Sequence, residues 1–231
     1  KQALERLADE NLQEAEAAEE SHAVEEAALE EKISLNEQRI NSVVSVLKSI
    51  GAGTVIDLGC GQGKLLQALL DHREFTRIVG MDVAFGALEV AKRRLRFDQM
   101  PERQKERIQL IHGSLTYRDS RLSGFDAATC IEVIEHLDPY RLTAFERVLF
   151  EFAQPKTVIL TTPNSEYNAK FESLPAGHMR HKDHRFEWTR EEFRLWAEAA
   201  AGRHGYDVRY LPVGDEDPKL GAPTQMGVFT R

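Results

Sequence analysis

From Thr54 onward, short apolar runs alternate with longer stretches whose apolar positions recur every three to four residues. The first pattern is that of buried strands and the second that of helices with one buried face. Strands are predicted at Thr54–Leu58, Arg77–Asp82, Ile108–His112, Phe125–Ile131 and Thr157–Thr161. Helices are predicted over Lys64–Asp71, over Ala84–Phe97, and from the Glu132 segment to about Ala153. Thr189-Arg-Glu-Glu192 has capping-box form and opens a helix to about His204. Tyr206–Val213 and Gln225–Thr230 then read as two closing strands with no helix between them, so they should pair antiparallel. Alternation of this kind predicts a doubly wound α/β sheet. Upstream, Ser34-Leu-Asn-Glu37 repeats the capping-box form and starts a helix with Ile40, Val43, Val44 and Leu47 on one face, ended by Gly51. Residues 2–31 are rich in Ala, Glu and Leu, lack Gly and Pro, and predict a further helix with a thin stripe of Leu4, Leu7, Leu12, Ala15, Val24 and Leu29. That stripe suits either a solvated helix or a linker helix docking on a neighbouring domain.

Charge divides the chain in the same place. The net charge is −8, and residues 1–35, with 11 acidic and three basic side chains, account for all of it. The acidity therefore belongs to an extension, 1–35, and the domain expected over 36–231 is neutral. A neutral domain is no general nucleic-acid clamp, although it can grip nucleic acid at one place. No apolar run approaches a membrane span, so no membrane partner is expected. The only cysteines, Cys60 and Cys130, lie in apolar strand-end contexts, which points to a reducing cytoplasm rather than a disulfide framework. The chain begins at Lys1 rather than Met, so a missing N-terminal region of a longer protein is expected.

Candidate chemistry starts at Asp57-Leu-Gly59-Cys-Gly61-Gln-Gly63-Lys64, directly after the first strand. The glycines permit a tight turn and close approach of a ligand to the backbone. The spacing is G-x-G-x-G, neither the dinucleotide fingerprint nor a P-loop. Asp82 ends the second strand 19 residues after Gly63, where a carboxylate can accept both hydroxyls of a ribose. The alternative is a plain βα turn with Asp82 as a helix cap. Together these features resemble class I S-adenosylmethionine-dependent methyltransferases, with their Rossmann-like sheet and antiparallel last strand. The resemblance implies that Asp57, Gly59 and Gly61 hold the methionine part of S-adenosyl-L-methionine and Asp82 its ribose. Ser114 and Leu115, after strand three, stand where the family's adenine pocket forms.

The second constellation is Glu132-Val-Ile-Glu135-His136, directly after strand four. In a helix these three side chains would share one face, and two carboxylates with an imidazole make most of a metal site. The alternative is a charged, solvated helix start. Thr161-Thr-Pro-Asn164-Ser-Glu-Tyr-Asn168 follows strand five, and a loop with His178, His181 and His184 precedes the last helix. Such loops lie on the ligand side of an open sheet, so one of these histidines can complete a set suited to a first-row divalent ion. The residues alone do not choose among the three. Arg180, Lys182, Arg185 and Arg190 are either a patch for RNA phosphates or a surface loop balanced by Asp183, Glu187 and Glu191.

The ordered elements E-x-x-E-H, T-P-N-S-E-x-N and D-H-[KR]-F-E-W-T-R are similar to those of the RNA 3′-terminal 2′-O-methyltransferases, over roughly residues 40–231. That family includes the plant and animal small-RNA enzymes and bacterial RNA-repair homologues. The resemblance implies Glu132, Glu135, His136 and His184 as metal ligands and catalytic residues, with Mn²⁺ or Mg²⁺ as the ion. It implies as substrate an RNA 3′ end with a free 2′,3′-diol, and a repair kinase-phosphatase as partner. A divalent ion lowers the pKa of the 2′-hydroxyl, and gripping both hydroxyls would exclude internal nucleotides. His136 is the candidate proton acceptor, a role with which metal ligation competes. Two other functions fit less of the chain: metal-dependent methylation of a small molecule, and a non-catalytic cofactor-binding scaffold in a repair assembly.

Overall fold

A computed structural model describes residues 35–231. The acidic extension expected over 1–35 lies, except for Leu35, outside the described residues. So does the Ser34 cap proposed for the first helix.

Seven strands form one sheet in the order β3-β2-β1-β4-β5-β7-β6. They are β1 (Thr54–Leu58), β2 (Arg77–Asp82), β3 (Ile108–His112), β4 (Ala127–Ile131), β5 (Thr157–Pro163), β6 (Asp207–Val213) and β7 (Thr224–Thr230). The first five pair in parallel. β7 inserts between β5 and β6 and runs antiparallel to both. The expected alternation and the reversed closing strands are thus observed. The near-continuous apolar runs of β1 and β5 follow from burial on both faces of the sheet.

Helices α1 (Leu35–Ser49), α2 (Lys64–Leu70) and α3 (Phe85–Arg94) cover one part of the core, where Val43 and Leu47 meet Leu66, Leu69, Ile78 and Val228. The helix at Leu142–Glu146, continued by π-helical Arg147–Ala153 and termed α4 here, joins α5 (Arg190–His204) on the other. Phe145, Phe150, Phe193 and Phe229 fill that layer. Thr189 caps α5 with the full reciprocal box to Glu192, as its sequence form predicts, and Gly205 (φ 72°) ends it.

Two helix boundaries differ from expectation. The helix predicted to Phe97 stops at Arg94, because Arg96 turns left-handed at φ 49°. The helix predicted from the Glu132 segment begins only at Leu142, after Pro139. Among the described residues, no helix is long and apolar enough to cross a membrane.

Candidate active site

The carboxyl ends of β1, β2, β4 and β5 converge on one edge of the sheet, where the chain folds back on itself between β1 and β4. Ligands of open α/β sheets bind at such a switch point. The loop after β1 runs through Gly59, Gly61 and Gly63, all left-handed. A Cβ added to Gly59 would stand 2.7 Å from Val133 Cγ2, so glycine lets this loop lie against the Glu132 segment. Asp82 organises the loop: its Oδ2 accepts from the Gly61 amide at 2.8 Å and its Oδ1 from the Ala84 amide at 2.8 Å. Asp57 is buried beneath, and Thr129 Oγ1 donates to it at 2.7 Å. Burial pushes its carboxyl up to about 7, against the Thr129 hydrogen bond and with the Asp82 charge adding to the rise.

Two clefts meet here. One, of about 250 Å³, is walled by Arg39, Ile40, Asp57, Gly59, Gly61 and Glu132. The other, of about 620 Å³, is walled by Gly59, Asp82, Ser114, Leu115, Glu132 and His136. Gly59 and Glu132 are common to both. Every residue expected to hold the cofactor therefore faces a space bordered by Glu132.

The carboxylate–histidine segment is assembled differently from the single helical face expected. Glu132 is left-handed at φ 51°, and only Ile134–His136 forms a turn, of 3₁₀ type. The backbone reversal turns Glu132 away from a helical path. Thr161 holds the reversal, taking the Glu132 amide on its carbonyl at 3.1 Å and donating its hydroxyl to Glu132 Oε1 at 2.8 Å. Glu132 Oε2 pairs with the fully buried Arg39 guanidinium at 3.3 Å. Glu135 is fully buried, and Thr162 Oγ1 donates to its Oε2 at 3.1 Å. Its Oε1 has no hydrogen-bond partner. Burial, then the neighbouring Glu132 charge, raises the Glu135 carboxyl well above the usual range.

His136 is exposed on the cleft and faces two other imidazoles. The ring centroids stand 4.8 Å from His184 and 5.9 Å from His181, and candidate ligand nitrogens of all three lie within 4.8 Å of one another. His178 is exposed and outside this group. His184 Nδ1 contacts Glu187 Oε1 at 2.6 Å. That contact places the proton on Nδ1 and leaves Nε2 as the donor atom, a common arrangement behind metal-binding histidines. Glu187 is itself fixed by the Arg180 amide at 2.7 Å and Asn168 Nδ2 at 2.6 Å.

Among the described residues, the three imidazoles of His136, His181 and His184 form a group that fits a divalent first-row cation, and Glu135 Oε1, buried without a hydrogen-bond partner, is a further oxygen donor on the same segment as His136. His136 and His184 come together, and His181 joins them. Glu132 and Glu135 instead engage Arg39, Thr161 and Thr162.

The four expected phosphate-patch residues divide. Arg180 is buried, donating to the Asn164 carbonyl at 2.6 Å and to Asn168 Oδ1 at 2.7 Å. Arg190 pairs with Glu166. Arg180 therefore ties the T-P-N-S-E-x-N segment to the histidine loop, and Arg190 ties it to the start of α5. Lys182 and Arg185 remain on the surface. Arg39, Thr161, Thr162, Glu187 and Asn168 were not singled out as functional from sequence. The Thr161-Thr162 pair near the end of β5, and Glu187 three residues after His184, are the signals that could have found Thr161, Thr162 and Glu187.

Known proteins resemble this chain over most of its described length. Residues 56–155 match the family model described as a methyltransferase domain. The methyltransferase domain of a bacterial CtHen1, solved by crystallography, is 56% identical, with a TM-score of 0.80 over 85% of this chain and 100% of that one. The small RNA 2′-O-methyltransferase of Mus musculus is 39% identical over 205 residues, covering 85% of this chain and 51% of that protein. Its Arabidopsis thaliana counterpart is 33% identical, over 85% of this chain and 22% of the relative. A chain of the Pnkp1/Rnl/Hen1 RNA repair complex, at 23% identity and a TM-score of 0.62, shares the fold. The present chain spans about half the length of the mouse relative. Its fold is that of class I S-adenosylmethionine-dependent methyltransferases, and the chain belongs to the Hen1 family of methyltransferase domains.

Proposed function

We propose that this domain transfers a methyl group from S-adenosyl-L-methionine to the 2′-hydroxyl of the 3′-terminal nucleotide of RNA. One observation carries the proposal: Glu132 and His136 wall the same cleft as Asp82, Ser114 and Leu115. Methyl donor and acceptor would then meet across Glu132.

The roles follow from the geometry. The loop from Asp57 to Gly63, organised by Asp82, cradles the donor. Glu132, Glu135, His136 and His184 would hold a divalent cation, Mn²⁺ or Mg²⁺. When bound, that cation supplies positive charge that lowers the pKa of a ribose hydroxyl. Thr161 and Thr162 orient the two carboxylates through their hydroxyls, and Glu187 holds the His184 proton on Nδ1. The small-RNA 2′-O-methyltransferase relatives support the choice of RNA. An RNA-repair setting, with end-processing enzymes as partners, is part of the same proposal; a chain of this fold in the Pnkp1/Rnl/Hen1 RNA repair complex prompts it.

The test is methyl transfer to a synthetic RNA with an intact 3′ diol, a periodate-cleaved end or a 3′-phosphate, with and without Mn²⁺. Transfer confined to the intact diol, and abolished by chelation and by Glu132→Ala, supports the proposal. Equal methylation of a 3′-phosphorylated RNA, or transfer that survives thorough chelation, contradicts it.

A further inference from the structure

Six large hydrophobic side chains are exposed among the described residues; Val83 lines one cleft, and Phe85, Tyr117 and Tyr140 each adjoin a residue that lines it. Val83 and Phe85 flank Ala84, Tyr117 follows Thr116, and Tyr140 precedes Arg141; Ala84, Thr116 and Arg141 all line the 620 Å³ cleft. Isolated exposed apolar residues need no explanation, but clustering around a site does. The Val83 side adjoins Asp82 and belongs to the donor. Tyr140 lies on the turn that follows His136 and is 75% exposed.

Tyr140 is also held. Its hydroxyl donates to Asp138 Oδ2 at 3.1 Å and accepts from Arg141 Nε at 3.3 Å. Asp138 Oδ1 lies 3.6 Å from Arg185 Nε, and Arg141 Cζ stands 5.7 Å from the Tyr140 ring centroid. Tyr117 lies within electrostatic reach of the same Arg141. The result is an exposed ring with its hydroxyl fixed, the Arg141 guanidinium over the ring, and Arg185 close by through Asp138.

We propose that Tyr140, with Arg141 and Arg185 alongside, is the platform on which the unpaired 3′-terminal base of the RNA stacks while its ribose enters the cleft. The inference rests on the RNA function proposed above and names how that substrate is gripped. Single-stranded nucleic acid is held by base–aromatic stacking together with cationic groups that follow the backbone. Tyr140 is four residues from His136, so its backbone lies within about 14 Å of that histidine's, a span a terminal nucleotide can bridge. Stacking uses the π-face that every base has, so the platform favours a free end without selecting its sequence.

The experiment measures the Kd of a 5′-fluorescein-labelled single-stranded RNA by anisotropy. The RNA ends in either a normal or an abasic nucleotide, and wild type is compared with Tyr140→Ala, Tyr140→Phe and Tyr140→Trp, each checked for folding by circular dichroism. Tyr140→Ala is expected to weaken binding about tenfold, or about 1.4 kcal/mol. The aromatic replacements are expected to stay within about threefold, since stacking requires the ring. The abasic end is expected to cost wild type about what Tyr140→Ala costs, and to cost the Ala variant nothing further. An unchanged Kd for Tyr140→Ala, an equal abasic penalty in both proteins, or a Phe variant as weak as the Ala variant overturns the proposal. So does loss of S-adenosylmethionine binding in Tyr140→Ala, which would assign the ring to the donor. A wild type that neither binds nor methylates RNA rejects the RNA function itself. A wild type that does both, with Tyr140→Ala unaffected, rejects only the platform.

Discussion

Glu132 occupies a left-handed backbone conformation that costs a non-glycine residue about 1–2 kcal/mol. Thr161 and Arg39 repay that strain by holding both of its carboxylate oxygens. Nothing in the E-x-x-E-H spacing signals a positive φ at a glutamate, so a helical reading was the natural one and gave the wrong local path. The identities of the residues were nevertheless legible, because chemistry is carried by type and order. His184 came from the D-H-R-F-E-W match, whereas His181, one of three loop histidines left open by the residues, is singled out only by its ring standing 5.5 Å from that of His184. Glu187→Gln removes the carboxylate behind His184, and is expected to raise the Mn²⁺ concentration needed for half-maximal activity about 10- to 100-fold. A metal titration checks this. Asp57 gives a pH prediction. Its folded-state pKa, about 7, lies above the ordinary 3.8, so burying it stabilises fully below pH 4, and that contribution is lost as pH rises through 7. Thermal unfolding of the cofactor-free domain should show Asp57→Asn gaining on wild type between pH 4 and 7. The gain is at most about 1.4 kcal/mol per pH unit in that window.

Elements with strong periodicity fell where the pattern put them. β1, β2 and β3 match their expected bounds, and the Thr189–Glu192 capping box forms. Thr189→Ala is expected to cost about 1 kcal/mol of stability, read as a lower denaturation midpoint with unchanged m-value. Boundaries set by tertiary contacts were less legible. The start of α4 is one, since Glu132 and Glu135 are held by Thr161 and Thr162 of β5 and the chain reaches a helical path only after Pro139. The role of α1 is another. Its apolar face was evident, but Arg39, on the same helix, is fully buried, donates to Thr224 Oγ1 at 3.0 Å and pairs with Glu132. The helix thereby anchors the site as well as the core. Arg39→Ala strands the largely buried Glu132 carboxylate and is expected to destabilise by about 3 kcal/mol. Combining it with Glu132→Gln should recover part of that loss in a double-mutant cycle.

For the whole molecule, the alternation of strands and helices was sufficient to predict a doubly wound sheet with a reversed final strand. The ligand edge followed from that topology. The partition of charge also held meaning: the described domain is nearly neutral, so the proposed RNA binding would draw on local groups at the cleft rather than on a general positive surface. The sequence read Arg180 and Arg190 as candidates for phosphate contact, but their carboxylate and carbonyl partners lie far along the chain and only folding reveals them. The central claim is that one cleft joins a methyl donor to a terminal ribose diol through the Glu132 segment. The most direct test is transfer of labelled methyl from S-adenosyl-L-methionine, in Mn²⁺, to the same RNA before and after periodate cleavage of its 3′ diol. The account predicts incorporation into the intact RNA, none into the cleaved RNA, and none with Glu132→Ala. Equal incorporation into intact and cleaved ends would contradict it.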